Sequence, residues 1–123
     1  MGKITVPFVI HKHDPRSGSI HYDLRFIDGA DPKILNSFAL PSDFPSTINH
    51  KTVVVRTREH DPRWLNLKSY RLDTFDKGDL DIIKGSRTYF KLDFRGKKIK
   101  GIYELFKMKT KRENYWLLIK SRI

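Results

Sequence analysis

The sequence predicts an all-β protein, a small single-domain β-barrel of short strands with little helix, spanning residues 1–123. Three observations carry that reading. Apolar and polar residues alternate with a period of two over most of the chain. Turn-forming clusters recur at short, regular intervals, as barrels and sandwiches require. A chain of 123 residues suits one domain that buries roughly two-thirds of its unfolded surface.

The elements follow in order. "KITVPFVIHKH" is β-branched and alternating, and after a Pro-Arg-Ser-Gly-Ser turn "IHYDLRFI" continues the pattern. "KILNSFAL" is a third strand and stops at Pro41; "HKTVVVRTREHDP" is a fourth, ending at the Asp61-Pro62 turn. "SYRLDTF", "LDIIKG", "RTYFKLDF", "IKGIYELFKM" and "NYWLLIK" come next, parted by Lys-Gly, Gly-Ser, Arg-Gly-Lys-Lys and Lys-Arg-Glu-Asn turns. Phe90, Leu92 and Phe94 share one face of their strand and are expected inside, opposite Lys91, Asp93 and Arg95. Only "PSDFPSTI" and "DPRWLNL" suit a helical turn. No repeat, linker or low-complexity tract interrupts the pattern.

Composition narrows the function. There is no cysteine, which excludes thiolate metal sites and cysteine nucleophiles and fits a reducing compartment. No apolar run approaches the roughly 18 residues of a membrane span, and the N-terminus lacks a signal-peptide pattern. A soluble, cytoplasmic monomer without membrane contact is expected. Lysine and arginine number 25 against 14 acids, a formal charge of +11. Such an excess suits a polyanionic partner, nucleic acid first. The basic stretches "RGKKIK" and "KMKTKRENYW" could line its path, with Tyr103 or Tyr115 as a stacking surface.

One segment concentrates chemistry. "HKHDPRSGSIHYDLR" holds three histidines, two aspartates and two arginines in fifteen positions. In an extended chain His21, Asp23 and Arg25 share a face, successive members about 6.6 Å apart. The turn before them brings His13 alongside on the preceding strand. Two imidazoles and a carboxylate are a suitable set for a divalent metal with open positions. Arg25, next on that face, suits a phosphate oxygen. The plainer reading is a solvated hairpin face whose charges pair with one another. His11 lies on the His13 face and would orient a ligand; otherwise it is a polar neighbour.

"FVIHKHD", "HYDLRF" and "SFALP" together resemble the 3'-phosphoesterase module of bacterial DNA ligase D and its stand-alone archaeal relatives. The likeness continues through "TVVVRTREHDP" and "KGIYELFKMKTKRENYWLLIK", over nearly the whole chain. The resemblance implies a β-barrel that uses a divalent metal, typically manganese (zinc and cobalt are alternatives), to trim DNA or RNA–DNA 3' ends in repair. By position it implies His13, His21 and Asp23 as metal ligands, Arg25 as a phosphate contact and His60 near the scissile phosphate. A DNA ligase, a polymerase or a Ku-type end-joining protein would be a natural partner.

The chain departs from that family in its phosphate shell. The turn between the first two ligand histidines is two residues longer. Ser42 replaces a lysine and Trp64 a tyrosine, and the family's glycine-rich loop is not recognisable. Thr52 replaces an arginine, leaving Lys51 beside it and Arg56 two strand periods on as the nearby phosphate-binding cations. Activity on a phosphodiester is therefore expected to survive better than activity on the more highly charged phosphomonoester. Two other classes compete. One is a DNA-end-binding module of the same fold with weak or no catalysis. The other is a non-haem iron oxygenase, since His21-x-Asp23, His60 and Arg71 mimic its ligand order; it leaves His13 and the charge unexplained.

Overall fold

The computed structural model describes residues 3–14, 18–41, 44–45, 47–68, 72–110 and 114–122. Among these, eight strands run in chain order: β1 Ile4–His13, β2 His21–Ile27, β3 Leu35–Leu40, β4 Lys51–Arg56, β5 Leu72–Gly85, β6 Tyr89–Gly96, β7 Lys100–Lys107 and β8 Tyr115–Lys120. They close into a barrel in the order β1-β2-β3-β4-β8-β7-β6-β5, with every neighbouring pair antiparallel. Closure leaves no sheet edge to protect. No described helix is long and apolar enough to cross a membrane.

Alternation decides which side chains fill the barrel. Phe8 and Ile10 of β1, Leu24 and Phe26 of β2 and Phe38 of β3 point inward and are fully buried. Phe90, Leu92 and Phe94 join them, as their spacing predicts. Trp116 and Leu118 complete the interior from β8. Aromatic rings meet edge-on through this core, Phe8 on Phe94 at 5.0 Å and Phe38 on Trp116 at 5.4 Å, a favoured geometry for π systems.

Three sequence expectations are corrected here. "SYRLDTF" and "LDIIKG" are not two strands parted by a Lys-Gly turn; from Leu72 they are one 14-residue strand. Gly78 sits mid-strand because a Cβ there would come within 2.6 Å of the Arg95 carbonyl oxygen. That glycine permits close backbone approach rather than a turn. The fourth strand ends at Arg56, well short of Asp61-Pro62. Tyr103 is buried, its hydroxyl donating to the Pro45 carbonyl at 2.7 Å, so it offers no stacking surface.

Of the two segments suited to a helical turn, one forms a 3-10 helix, Pro62–Asn66. Asp61 caps it by accepting from the Arg63 N–H, and Pro62 occupies a position where a missing N–H costs nothing. The other segment includes residues 42, 43 and 46, which lie outside the described residues; the rest of it is not helical. The β6–β7 turn is held by Asp76, whose carboxylate accepts from the Lys97, Lys98 and Ile99 backbone N–H groups at 3.0, 3.1 and 2.8 Å.

Candidate metal and phosphate site

The β1–β2 register builds the site on the outer wall of the barrel. His13 pairs with His21, His11 with Asp23, and Val9 with Arg25. On the other side Asp23 pairs with Ala39, and Arg25 with Ser37. Since partners across a sheet share a face, His11, His13, His21, Asp23, Arg25 and Ser37 form one patch over three strands. Their neighbours Ile10, Leu24 and Phe38 face the core.

Within that patch His13, His21 and Asp23 each offer a ligand atom, all within 4.8 Å of one another. His13 Nδ1 lies 3.2 Å from His21 Nε2, and His21 Nε2 lies 3.5 Å from the Asp23 carboxylate. Donor atoms around one ion with bonds of about 2.0–2.2 Å sit about 3.0–3.5 Å apart. The donor set and these two spacings fit a divalent cation. Two nitrogens and one oxygen suit manganese, cobalt or zinc and leave further positions for water or substrate.

Arg25 extends the patch but is nearly enclosed. Only 6% of it is exposed. Nη2 lies 3.6 Å from the Asp23 carboxylate, and Nη1 donates to His11 Nδ1 at 2.8 Å. Burial lowers the Arg25 pKa, and the Asp23 charge opposes that shift. His11 is more deeply buried still, at 1% exposure. Its burial, then the Arg25 charge, depress its pKa to about 4, while Asp23 acts the other way. His11 is therefore neutral at pH 7 and accepts from Arg25 through Nδ1.

The roof of the site comes from the residues that follow β4, His60 and Trp64 among them. His60 pairs its backbone with Leu35 at the start of β3, through bonds of 3.0 and 3.1 Å. Its ring stacks on Trp64 with centroids 4.0 Å apart. The Trp64 ring in turn lies 5.1 Å from the Arg25 guanidinium carbon. Burial, then Arg25 and Arg58, lower the His60 pKa, with Asp23 opposing. His60 thus stands neutral at pH 7, within electrostatic reach of Arg25 and Asp23.

Two of the expected phosphate-binding cations do not join this cluster. Arg56 faces the other way, because it pairs with Phe38 on the inner side of the sheet. Its guanidinium covers Phe38, Phe90 and Trp116 at 5.3–5.7 Å and donates to Asn36 at 2.8 Å. There it helps line a cavity of about 650 Å³ with Asp28, Glu59 and Ile82. Lys51 is exposed on the outer face of β4, two strands from Asp23. Thr52 points inward, nearly buried. Ser42 and Arg71 lie outside the described residues.

Ser37 is the residue that sequence reading passed over. Alternation puts it on the outer face of "LNSFAL", but only the β2–β3 register sets it opposite Arg25. The chain matches no protein-family model and no curated protein sequence. What fold and residues define together is a closed, eight-stranded antiparallel barrel with a His-His-Asp cluster and a buried arginine on its outer wall.

Proposed function

We propose that this chain is a metal-dependent phosphoesterase that processes the 3' ends of DNA, the activity its resemblance to the ligase D module implies. The observation that carries the reading is the convergence of His13, His21 and Asp23 within 4.8 Å, with Arg25 beside them. It is reinforced by a net charge of +11, which draws the chain to polyphosphate. When bound, a divalent ion, manganese first, would supply Lewis-acid polarisation of a phosphoryl oxygen.

The chain's own residues divide the remaining work. Arg25 offsets charge on the phosphoryl oxygens with its planar fork. Asp23 keeps that fork oriented while also serving as a ligand. His60, neutral at pH 7, donates its ring N–H to the leaving oxygen and so stabilises the charge that develops there. With Arg56 turned to the interior, Arg25 is the guanidinium that the described residues set beside the cluster. A diester carries one less charge than a terminal phosphate, so the diesterase step should outlast the monoesterase step.

One observation favours a second reading, a DNA-end-binding module without turnover. Arg25 is nearly buried with the Trp64 ring against its guanidinium, an arrangement that holds a phosphate off it. Primers ending in one 3' ribonucleotide or in a 3' phosphate, followed over time with manganese, separate the readings. Removal of the ribonucleotide, lost in Arg25→Ala and His60→Ala, supports the phosphoesterase. Retention of both ends despite tight binding supports the module. A DNA ligase that joins the trimmed end, a polymerase that extends it or a Ku-type end-joining protein would be the natural cytoplasmic partner.

A further inference from the structure

Three side-chain atoms beside the cluster are shut from solvent and have no hydrogen-bond partner: Arg25 Nε, His11 Nε2 and Ser37 Oγ. Buried polar atoms are nearly always paired, so three on adjacent strands of one patch require a reason. Each of the three can donate. A guanidinium only donates, so His11 Nδ1, 2.8 Å from Arg25 Nη1, must accept. The neutral ring then carries its proton on Nε2. Arg25 Nε is a donor too, and the Ser37 hydroxyl can donate. Two obligate donors and a hydroxyl able to donate, beside one positive charge, suit an acceptor that is an anion.

The element over Arg25 is short and carries no fully buried residue. Trp64 lies in a five-residue 3-10 helix in which no residue is fully buried. Trp64 is only partly buried where it packs against the barrel core. Segments with so little burial open at low cost.

We propose that Trp64 is the gate of a phosphoryl-binding pocket. With the indole swung off Arg25, the guanidinium, the Ser37 hydroxyl and His11 Nε2–H face the oxygens of a tetrahedral phosphoryl group. That group then lies beside the His13–His21–Asp23 cluster. The inference deepens the phosphoesterase reading and rests on it for the choice of phosphate among oxyanions. It also gives His11 and Ser37 a task in holding substrate that motif reading does not assign.

The test uses the full chain, inorganic phosphate as the probe and no metal, so that turnover is not read. The chain has two tryptophans, and Trp116 is buried in the barrel. Phosphate should therefore red-shift the emission in the native chain and not in Trp64→Phe. By calorimetry Trp64→Ala should bind phosphate more tightly, by about two- to thirtyfold, because the indole–guanidinium contact no longer has to be broken. Ser37→Ala and Arg25→Met should each weaken binding by about fivefold or more.

Weaker binding in Trp64→Ala would overturn the gate and make Trp64 a ligand contact. Unchanged emission at saturating phosphate would overturn it as well. Absence of phosphate binding in both the native chain and Trp64→Ala would mean that water satisfies the three donors, and the pocket would be rejected. A chain that opens on phosphate but cleaves no primer defeats the phosphoesterase reading alone. One that cleaves primers with Trp64 immobile defeats the gate alone.

Discussion

Asp23→Ala tests the electrostatics of the site. Its carboxylate and the Arg25 guanidinium are both nearly buried and lie 3.6 Å apart. Unit charges at that spacing attract by about 1 kcal/mol in water and about 5 kcal/mol at the effective dielectric near a protein surface. Removing Asp23 leaves Arg25 enclosed with His11 as its acceptor. Breaking a buried pair from one side costs about 3–5 kcal/mol, chiefly because the remaining charge stays buried. We expect Asp23→Ala to cost about 3 kcal/mol, and Arg25→Met to be destabilising for the same reason. Asp23→Ala/Arg25→Met removes both charges, so its cost should fall short of the sum by about 2 kcal/mol. Urea unfolding at pH 7 without metal, followed by far-ultraviolet dichroism, measures all four chains. Additive costs would refute the argument and mean that solvent reaches the pair. On the folded single variants, calorimetry with manganese should show binding retained in Arg25→Met and lost in Asp23→Ala.

Other expectations follow from features away from the cluster. In Gly78→Ala the new methyl meets the Arg95 carbonyl oxygen at 2.6 Å, so β5 and β6 must part; a loss of about 3 kcal/mol in urea unfolding is expected, and an unchanged midpoint would contradict it. Hydrogen bonds from Arg95 and then Thr5 hold the Asp81 carboxyl well below the usual carboxylate range, against its burial. As pH falls below about 4 the unfolded chain takes up this proton first, so stability drops. Asp81→Asn should narrow the gap between urea midpoints at acid and neutral pH; an equal gap would show that Asp81 is not the group responsible. Binding of a single-stranded oligonucleotide should weaken about a hundredfold between about 50 and about 200 mM salt if five phosphates are neutralised. A flat salt response would remove the electrostatic basis for a nucleic-acid partner.

Much of this architecture is legible in local pattern. A strand turns successive side chains to opposite faces, so "HYDLRF" alone puts His21, Asp23 and Arg25 on one side and Leu24 and Phe26 on the other. The turn before it is enough to bring His13 to His21. The inward set Phe90, Leu92 and Phe94 follows from the same period, and the Asp-Pro that starts the 3-10 helix is a local signal as well.

Contacts between strands distant in sequence could not be read that way. Whether Lys77-Gly78 turns or runs on depends on a backbone approach to Arg95, and Arg95 belongs to the next strand. Arg56 and Arg25 are similar basic strand residues, yet the β3–β4 register sends Arg56 to the interior while β2–β3 pairing keeps Arg25 outside. The proton on His11 follows from Arg25 at 2.8 Å, fourteen residues away. The covering of Arg25 by Trp64 depends on where a five-residue helix lands after the barrel has closed. Alternation is a property of one strand, whereas register, closure and burial belong to pairs of strands, and so they exist only in the folded chain.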